Sequence, residues 1–191
     1  MKLAMILTVG RIALAPLFFL FYQLAAAGSP LLLVAVWAIL ALMELSDLFD
    51  GFVARRLHQE SELGKILDPC ADSISRLTYF VALAGSAILP IWVLLVLVYR
   101  DIGVAYIRVM FSREKYLMPA RFSGKLKAWV YAGAGIAGLV WFSMDRTGSE
   151  LAGNATLHAG LEGLFYLAAA VAVWTLADYF AFFVRNSRKG S

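Results

Sequence analysis

The chain has 191 residues, of which 62% are hydrophobic and only 16% are charged. Its mean hydropathy of +0.77 is not typical of a water-soluble domain of this length. The composition instead predicts one all-α integral membrane domain that covers residues 1–191. The single cysteine, Cys70, excludes an intramolecular disulfide, and the formal net charge is +4.

Six transmembrane helices are predicted in chain order. Turns are indicated by Gly28-Ser29-Pro30 and by Leu89-Pro90, where glycine and proline interrupt the apolar sequence. The first apolar segment begins like a signal peptide, but Arg11 interrupts it and it is long enough to span, so we expect it to remain uncleaved. The predicted helices cover approximately residues 5–27, 31–54, 64–87, 91–111, 124–144 and 160–184.

Four aspartates stand out in this apolar sequence as two pairs, Asp47/Asp50 and Asp68/Asp72. Residues three or four positions apart lie on one face of a helix, so each pair shares a face. Four carboxylates that converge without cationic partners repel one another, and a divalent cation relieves that repulsion. Because carboxylate oxygens are hard ligands, the pattern predicts a site for Mg²⁺ or Mn²⁺.

The second and third helices are predicted to form an antiparallel hairpin. Asp47 follows Leu31 by sixteen residues, about 24 Å along a helix, which places it near the far edge of the hydrocarbon core. The third helix starts near Gly64 and carries Asp68 and Asp72 in its opening turns. The two pairs therefore face each other at one depth, which is suitable for two metal ions.

Basic residues indicate how the bundle is oriented. The loops on the side opposite to the aspartates contain only Arg146 as a basic residue. By the positive-inside rule, both termini and the aspartates face the cytoplasm, in what we expect to be a bacterial inner membrane. This topology explains the net charge without a nucleic-acid partner. The basic residues on the aspartate side are Lys2, Arg55, Arg56, Lys65, Arg113, Lys115, Arg121, Lys125, Lys127, Arg185, Arg188 and Lys189.

The aspartates belong to a longer pattern, D-x2-D-G-x2-A-R-x8-G-x3-D-x3-D. Its fixed positions are all filled, by Asp47, Asp50, Gly51, Ala54, Arg55, Gly64, Asp68 and Asp72. The pattern resembles the signature of the CDP-alcohol phosphatidyltransferase family, and the resemblance extends over nearly the whole chain. Thr8, Arg11 and Pro16 are similar to the first-helix pattern of the glycerophosphate-using branch, although Met5 and Ser73 stand where that branch has Asn and often Lys.

The resemblance implies transfer of a phosphatidyl group from CDP-diacylglycerol to an acceptor alcohol, most closely sn-glycerol 3-phosphate, with release of CMP. It implies that Asp47, Asp50, Asp68 and Asp72 hold two metal ions, and that Asp72 is the general base. It also implies a homodimer. The residues that it assigns to the CDP site are Asp47, Gly51, Ala54, Arg55, Gly64 and Thr8.

Charged residues inside the predicted helices indicate a second region of interest. An unpaired charge in the bilayer costs about 2.5–3.5 kcal/mol or more, so these residues are expected to face the bundle interior. Arg100 and Asp101 are open to two interpretations, a structural pairing with neighbouring helices or contact with substrate. The residues predicted to bind the acceptor phosphate are Arg108, Arg121, Lys125, Lys127 and Arg11.

Two alternatives remain open. The same chemistry could act on another acceptor, such as inositol phosphate, serine or another alcohol. A transporter would also explain charges in the membrane, but it predicts internal repeats or broken helices, which the sequence does not indicate. Gly133, Gly135 and Gly138 match a dinucleotide fingerprint, but they lie in an apolar helix and are interpreted as sites of close helix packing.

Overall fold

The structure is a computed structural model that describes residues 3–56, 62–113 and 122–187. Within these ranges the protein is all-helical and has six α-helices, which confirms the all-α part of the prediction. That all six cross a membrane, with both termini on the cytoplasmic side, stays a prediction. A short 3₁₀ turn, Glu150–Gly153, precedes the last helix. The helices are α1 (Leu3–Ala25), α2 (Pro30–Arg56), α3 (Glu62–Gly85), α4 (Ile91–Arg113), α5 (Phe122–Arg146) and α6 (Ala155–Ser187).

The start of α6 differs from the prediction, because the helix begins at Ala155 rather than near residue 160. The side-chain oxygen of Asn154 accepts hydrogen bonds from the backbone N–H groups of Thr156 and Leu157, at 2.9 and 3.2 Å. An asparagine in this position satisfies backbone donors that the first helical turn leaves unpaired. The cap therefore extends the helix into a polar segment that carries no apolar periodicity.

The two predicted turns are present, and each contains a residue in the left-handed region. Gly28, between α1 and α2, has φ of 82°, and a Cβ there would lie 3.3 Å from the carbonyl oxygen of Arg146. Ala87, between α3 and α4, has φ of 57°. The N–H of Ile88 donates to the carbonyl oxygen of Leu83 at 3.0 Å, which closes the end of α3.

The helices pack as two groups that share α3. Helix α1 packs against α2 and α3, whereas α6 packs against α4 and α5, and α3 contacts both α4 and α5. A continuous apolar core runs through both groups and includes the fully buried side chains of Phe18, Phe80, Phe142 and Phe165. Helix α3 therefore connects the half that carries the aspartates with the half formed by α4, α5 and α6.

Two glycines allow α5 to approach its neighbours closely. A Cβ at Gly135 would lie within 2.4 Å of the Tyr79 ring, and one at Gly138 would lie 2.6 Å from a methyl group of Leu83. Both contacts are with α3, so the interpretation of these glycines as packing residues is confirmed. In the described part of the chain, no atom beyond the neighbouring backbone of α5 lies within 4 Å of the ideal Cβ position of Gly133, so the interpretation does not extend to this glycine.

Among the residues that the structure describes, two helices contain a segment long and apolar enough to cross a membrane, Thr8–Ala25 in α1 and Ala155–Arg185 in α6. Large apolar side chains are also exposed on the outer faces of other helices, including Leu31 on α2, Tyr106 on α4 and Trp129 on α5. Exposed apolar surface of this extent is typical of proteins that contact lipid or another chain.

Candidate functional site

The four aspartates of the motif lie on two helices that are continuous through them. Asp47 and Asp50 belong to α2, and Asp68 and Asp72 belong to α3. Their helical spacing places the members of each pair on one face, as the sequence indicated. For Asp47, Asp50 and Asp68 the structure describes the backbone alone, so the convergence of the four carboxylates stays a prediction.

Other residues of the predicted site also lie outside the part of the chain whose side chains are described. They are Gly51, Ala54, Arg55 and Gly64 of the predicted CDP site, and Arg121 of the predicted acceptor site.

Asp72 is half-buried on α3, where it forms an ion pair with Arg76 one turn later. The Nε atom of Arg76 lies 2.8 Å from Oδ1 of Asp72. Nη1 of the same guanidinium donates to the carbonyl oxygen of Ala128 on α5 at 3.4 Å, the long end of hydrogen-bond distances. Arg76 therefore orients the last carboxylate of the motif and joins it to α5. Because a carboxylate has two oxygens, the pair is compatible with metal binding or proton transfer at the second one.

The chemistry of these donors fits Mg²⁺ or Mn²⁺. Both ions prefer carboxylate oxygens, and an arginine that hydrogen-bonds a metal-binding carboxylate fixes its orientation. Among the side chains that the structure describes, no three Asp, Glu, His or Cys residues form a group that could hold a metal. The predicted metal site would therefore consist of the three aspartates whose side chains are not described, together with Asp72.

Thr8 and Arg11 lie on the buried side of α1. Their side chains are 1% and 2% exposed, and α1 packs against both α2 and α3. The two residues are therefore enclosed in the half of the bundle that carries the motif. Their contact with nucleotide or acceptor stays a prediction.

A network of buried charges connects α4, α5 and α6. Nη1 of Arg100 donates to Oδ1 of Asp101 at 3.0 Å, and Nε donates to the hydroxyl of Thr175 at 3.0 Å. The ammonium of Lys127 lies 2.8 and 3.1 Å from the two oxygens of Asp101. The side chains of Arg100, Asp101 and Lys127 are at most 7% exposed, and Thr175 is fully buried. Of the two interpretations left open for Arg100 and Asp101, the structure therefore shows the structural pairing.

The predicted acceptor-phosphate residues are thus in different environments. Lys127 is buried and paired with Asp101, whereas Arg108 on α4 and Lys125 on α5 are exposed. Nη2 of Arg108 donates to the hydroxyl of Tyr179 on α6 at 3.1 Å, and its guanidinium carbon lies 5.6 Å from the centroid of that ring. Each of these two cations is accessible to an anion.

Sequence analysis missed the partners of these residues. The pairing of Asp72 with Arg76 has a local signal, because an acid and a base four residues apart meet on a helix. Thr175 and Tyr179 have no such signal, since their partners on α4 are 75 and 71 residues away in the sequence.

Comparison with known proteins adds evidence from outside the structure. The sequence model of the CDP-alcohol phosphatidyltransferase family matches residues 1–180. The chain is 34% identical over 131 residues to a probable phosphatidylglycerophosphate synthase of Mycobacterium tuberculosis, covering 69% of this chain and 62% of the relative. It is 29% identical over 143 residues to a CDP-diacylglycerol–glycerol-3-phosphate 3-phosphatidyltransferase of Treponema pallidum, covering 70% and 66%.

A relative with a different name is similar to the same degree. A CMP-forming cardiolipin synthase of Streptomyces coelicolor is 37% identical over 121 residues, covering 63% of this chain and 56% of the relative. The matched part of the chain thus spans less than two thirds of the length of each of these three relatives.

Proposed function

The chain belongs to the CDP-alcohol phosphatidyltransferase family, and we propose that it acts as a phosphatidylglycerophosphate synthase. It transfers the phosphatidyl group of CDP-diacylglycerol to sn-glycerol 3-phosphate and releases CMP. The observation that carries this proposal is the acid motif, which is complete and lies on two consecutive helices inside the matched region. The names of the two glycerophosphate-related relatives support the choice of acceptor.

The reaction assigns a task to each group of residues. Asp47, Asp50, Asp68 and Asp72 would hold two divalent cations, Mg²⁺ or Mn²⁺, which would supply charge neutralisation at the phosphates. The acceptor hydroxyl attacks the phosphorus that carries the diacylglycerol, and the bond from that phosphorus to CMP breaks. Asp72 takes the hydroxyl proton, and its orientation by Arg76 favours this role because a general base must lie within hydrogen-bond reach of its proton.

The remaining motif residues bind the donor. Arg55 offers a planar pair of donors to a phosphate oxygen. Gly51 allows the nucleotide to approach the helix backbone, which a side chain would obstruct. Ala54 and Gly64 complete the CDP site, with Thr8 and Asp47. The acceptor phosphate binds at the exposed cations Arg108 and Lys125, with Arg121 as a further candidate. Lys127 is paired with Asp101 and Arg11 is buried on α1, so their positive charges act on the acceptor from outside this pair of exposed cations.

We also propose a six-span topology, with both termini and the acid motif on the cytoplasmic side of a bacterial inner membrane. The shortest helices, α1 and α4, have 23 residues each, about 34 Å, which exceeds a hydrocarbon core of about 30 Å. Exposed apolar side chains on α2, α4 and α5 support contact of these helices with lipid. The chain forms a single domain over residues 1–191 and assembles as a homodimer.

The similarity to a CMP-forming cardiolipin synthase favours a second candidate. In that case the donor chemistry is the same, but the acceptor is the free hydroxyl of phosphatidylglycerol. The two acceptors differ in charge, because glycerol 3-phosphate carries a phosphomonoester and phosphatidylglycerol a phosphodiester. Exposed cations at Arg108 and Lys125 favour the more highly charged phosphomonoester.

The experiment that tests the proposal is CMP release by the purified protein with CDP-diacylglycerol and Mg²⁺ or Mn²⁺. The acceptors are glycerol 3-phosphate, phosphatidylglycerol, inositol 1-phosphate and serine, each supplied separately. Asp68→Asn should abolish release, whereas Asp145→Asn, which alters an exposed aspartate near the other end of α5, should not. Release with phosphatidylglycerol alone would establish the second candidate, and no release with any acceptor would contradict the enzyme assignment.

A further inference from the structure

We propose that Tyr179 is the positioning residue of the acceptor site, which holds the guanidinium of Arg108 ready to bind the acceptor phosphate. This inference rests on the proposed function, because it assumes that a phosphorylated acceptor binds at Arg108. It adds a residue of α6 to a site that the sequence placed on α1, α4 and α5.

The contact between Tyr179 and Arg108 fixes the arginine in two ways. The tyrosine hydroxyl accepts a hydrogen bond from Nη2 at 3.1 Å, and the guanidinium lies over the ring with its carbon 5.6 Å from the centroid. The Tyr179 side chain is 1% exposed, so it offers a rigid support to an exposed partner. A guanidinium has five N–H donors, and the bond to the hydroxyl uses one of them.

The chemical nature of the support matters for anion binding. A carboxylate partner would cancel the charge of the arginine, as Asp101 does for the buried Arg100 and Lys127. A phenol is neutral, so it restricts the motion of the guanidinium and leaves its positive charge available. An arginine held in this way loses less conformational entropy when it binds a phosphate than a freely moving one. Tyr179 therefore positions Arg108 for an anion without neutralising its positive charge.

The hydroxyl of Tyr179 also lies where three helices meet. A Cβ at Gly124 of α5 would be 3.2 Å from this oxygen, so the hydroxyl sits directly against the start of α5. The preceding residue, Ser123, donates to Oδ2 of Asp178 at 2.7 Å and fixes α5 to α6 beside it. Because Lys125 follows Gly124 and is exposed, the same junction brings a second cation to the region of Arg108.

A purely structural role for Tyr179 makes a different prediction. Its ring also packs against Val104 and Ile107 of α4, and a packing residue would affect folding and both substrates alike. A positioning residue affects the acceptor alone. Tyr179→Phe separates the two roles, because it removes the hydroxyl and retains the ring.

Tyr131 on α5 supplies a matched control. Its side chain is also fully buried, and its hydroxyl has no hydrogen-bond partner in the described part of the chain. Tyr131→Phe therefore makes the same chemical change where no described hydrogen bond is lost. The ring of Tyr131, which lies 4.3 Å from the ammonium of Lys127, is retained in this variant.

The first measurement is steady-state CMP release by the full-length protein in detergent. Tyr179→Phe should raise the KM for the acceptor about tenfold, the expected size for a lost hydrogen bond to a charged group, while kcat and the donor KM change less than twofold. Tyr131→Phe should change none of the three. The phosphate can belong to soluble glycerol 3-phosphate or to the lipid phosphatidylglycerol, so both acceptors are assayed. The inference would be overturned if Tyr179→Phe left the KM of both acceptors unchanged. It would also be overturned if the donor KM and the acceptor KM rose equally.

A second measurement keeps this inference separate from the proposed function. If the wild-type protein releases no CMP, the proposed function fails. The rise of Tm on addition of inorganic phosphate then tests whether Tyr179 positions Arg108 for anion binding. Phosphate should raise the Tm of the wild type and of Tyr131→Phe but not that of Tyr179→Phe. This result would support the anion site. No rise in the wild type, or the same rise in all three proteins, would refute it.

Discussion

Asp101→Asn should destabilise the protein by more than any single change to an exposed charge. Asp101 lies between Arg100 and Lys127, with ion-pair distances of 3.0 and 2.8 Å, and the three side chains are at most 7% exposed. The substitution retains the shape of the side chain and a hydrogen-bond acceptor, but it removes the negative charge. Two buried cations are then left without a counter-ion.

The magnitude follows from the burial of the network. Removing one partner of a buried ion pair costs about 3–5 kcal/mol, because the remaining charge stays desolvated. Since asparagine still accepts one hydrogen bond, we expect the low end of this range, about 3 kcal/mol. For a chain of this length each kcal/mol lowers Tm by about 2–4 °C, so the expected fall is about 6–12 °C.

Thermal unfolding of the purified protein in detergent measures this effect. Asp145→Asn is the matched control, because Asp145 makes an exposed ion pair with Arg146 at 3.5 Å and should change Tm by less than about 2 °C. The double variant Asp101→Asn with Lys127→Met should recover part of the loss, because a single buried cation then remains. Equal Tm values for the Asp101 and Asp145 variants would refute the reasoning, as would a double variant less stable than Asp101→Asn alone.

Three further predictions concern packing and metal binding. Gly135→Val should lower Tm strongly, because a Cβ there would lie against the Tyr79 ring. Gly133→Ala should be tolerated, and equal Tm values for the two variants would contradict this prediction. Arg76→Met should weaken Mn²⁺ binding about tenfold in a titration followed by electron paramagnetic resonance, because Asp72 loses its orienting partner. Unchanged Mn²⁺ affinity would rule out that role. Removal of divalent metal with EDTA should stop CMP release, and excess Mg²⁺ or Mn²⁺ should restore it; activity that persists in EDTA would exclude metal dependence.

The helices were predictable because their signals are local. Long apolar segments indicated the six helices, and glycine and proline indicated the turns at Gly28 and Leu89. The predicted start of α6 was wrong, because the observed start depends on Asn154, whose side chain caps the helix. The same residue is typical of loops, and nothing in the neighbouring polar sequence distinguishes the two uses.

The acid motif of the candidate site could be predicted because all of its residues lie close together in the sequence. The aspartates lie on two helices that are consecutive in the sequence, so their spacing can be recognised without knowledge of any tertiary contact. The motif was therefore sufficient to identify the family. The partners of Arg100 and Arg108 lie on α6, far along the chain, and hydrophobic periodicity does not specify which helices pack together. The pairing of Lys127 with Asp101 was missed for the same reason, since it depends on how α4 and α5 meet.

The division of the bundle into two groups has a consequence for the chemistry. Helices α2 and α3 carry the acid motif, whereas the exposed cations Arg108 and Lys125 lie on α4 and α5. Under the proposed function, the distance between the carboxylates of the acid motif and the acceptor phosphate therefore depends on how α3 meets α5. That contact is made by the close approach at Gly135 and by the hydrogen bond from Arg76 to Ala128. The Gly135 contact involves no residue of the acid motif, whereas the Arg76 contact includes the partner of Asp72. Under the proposed function, changes on α4 and α6 can therefore alter the acceptor site while the donor chemistry on α2 and α3 is retained.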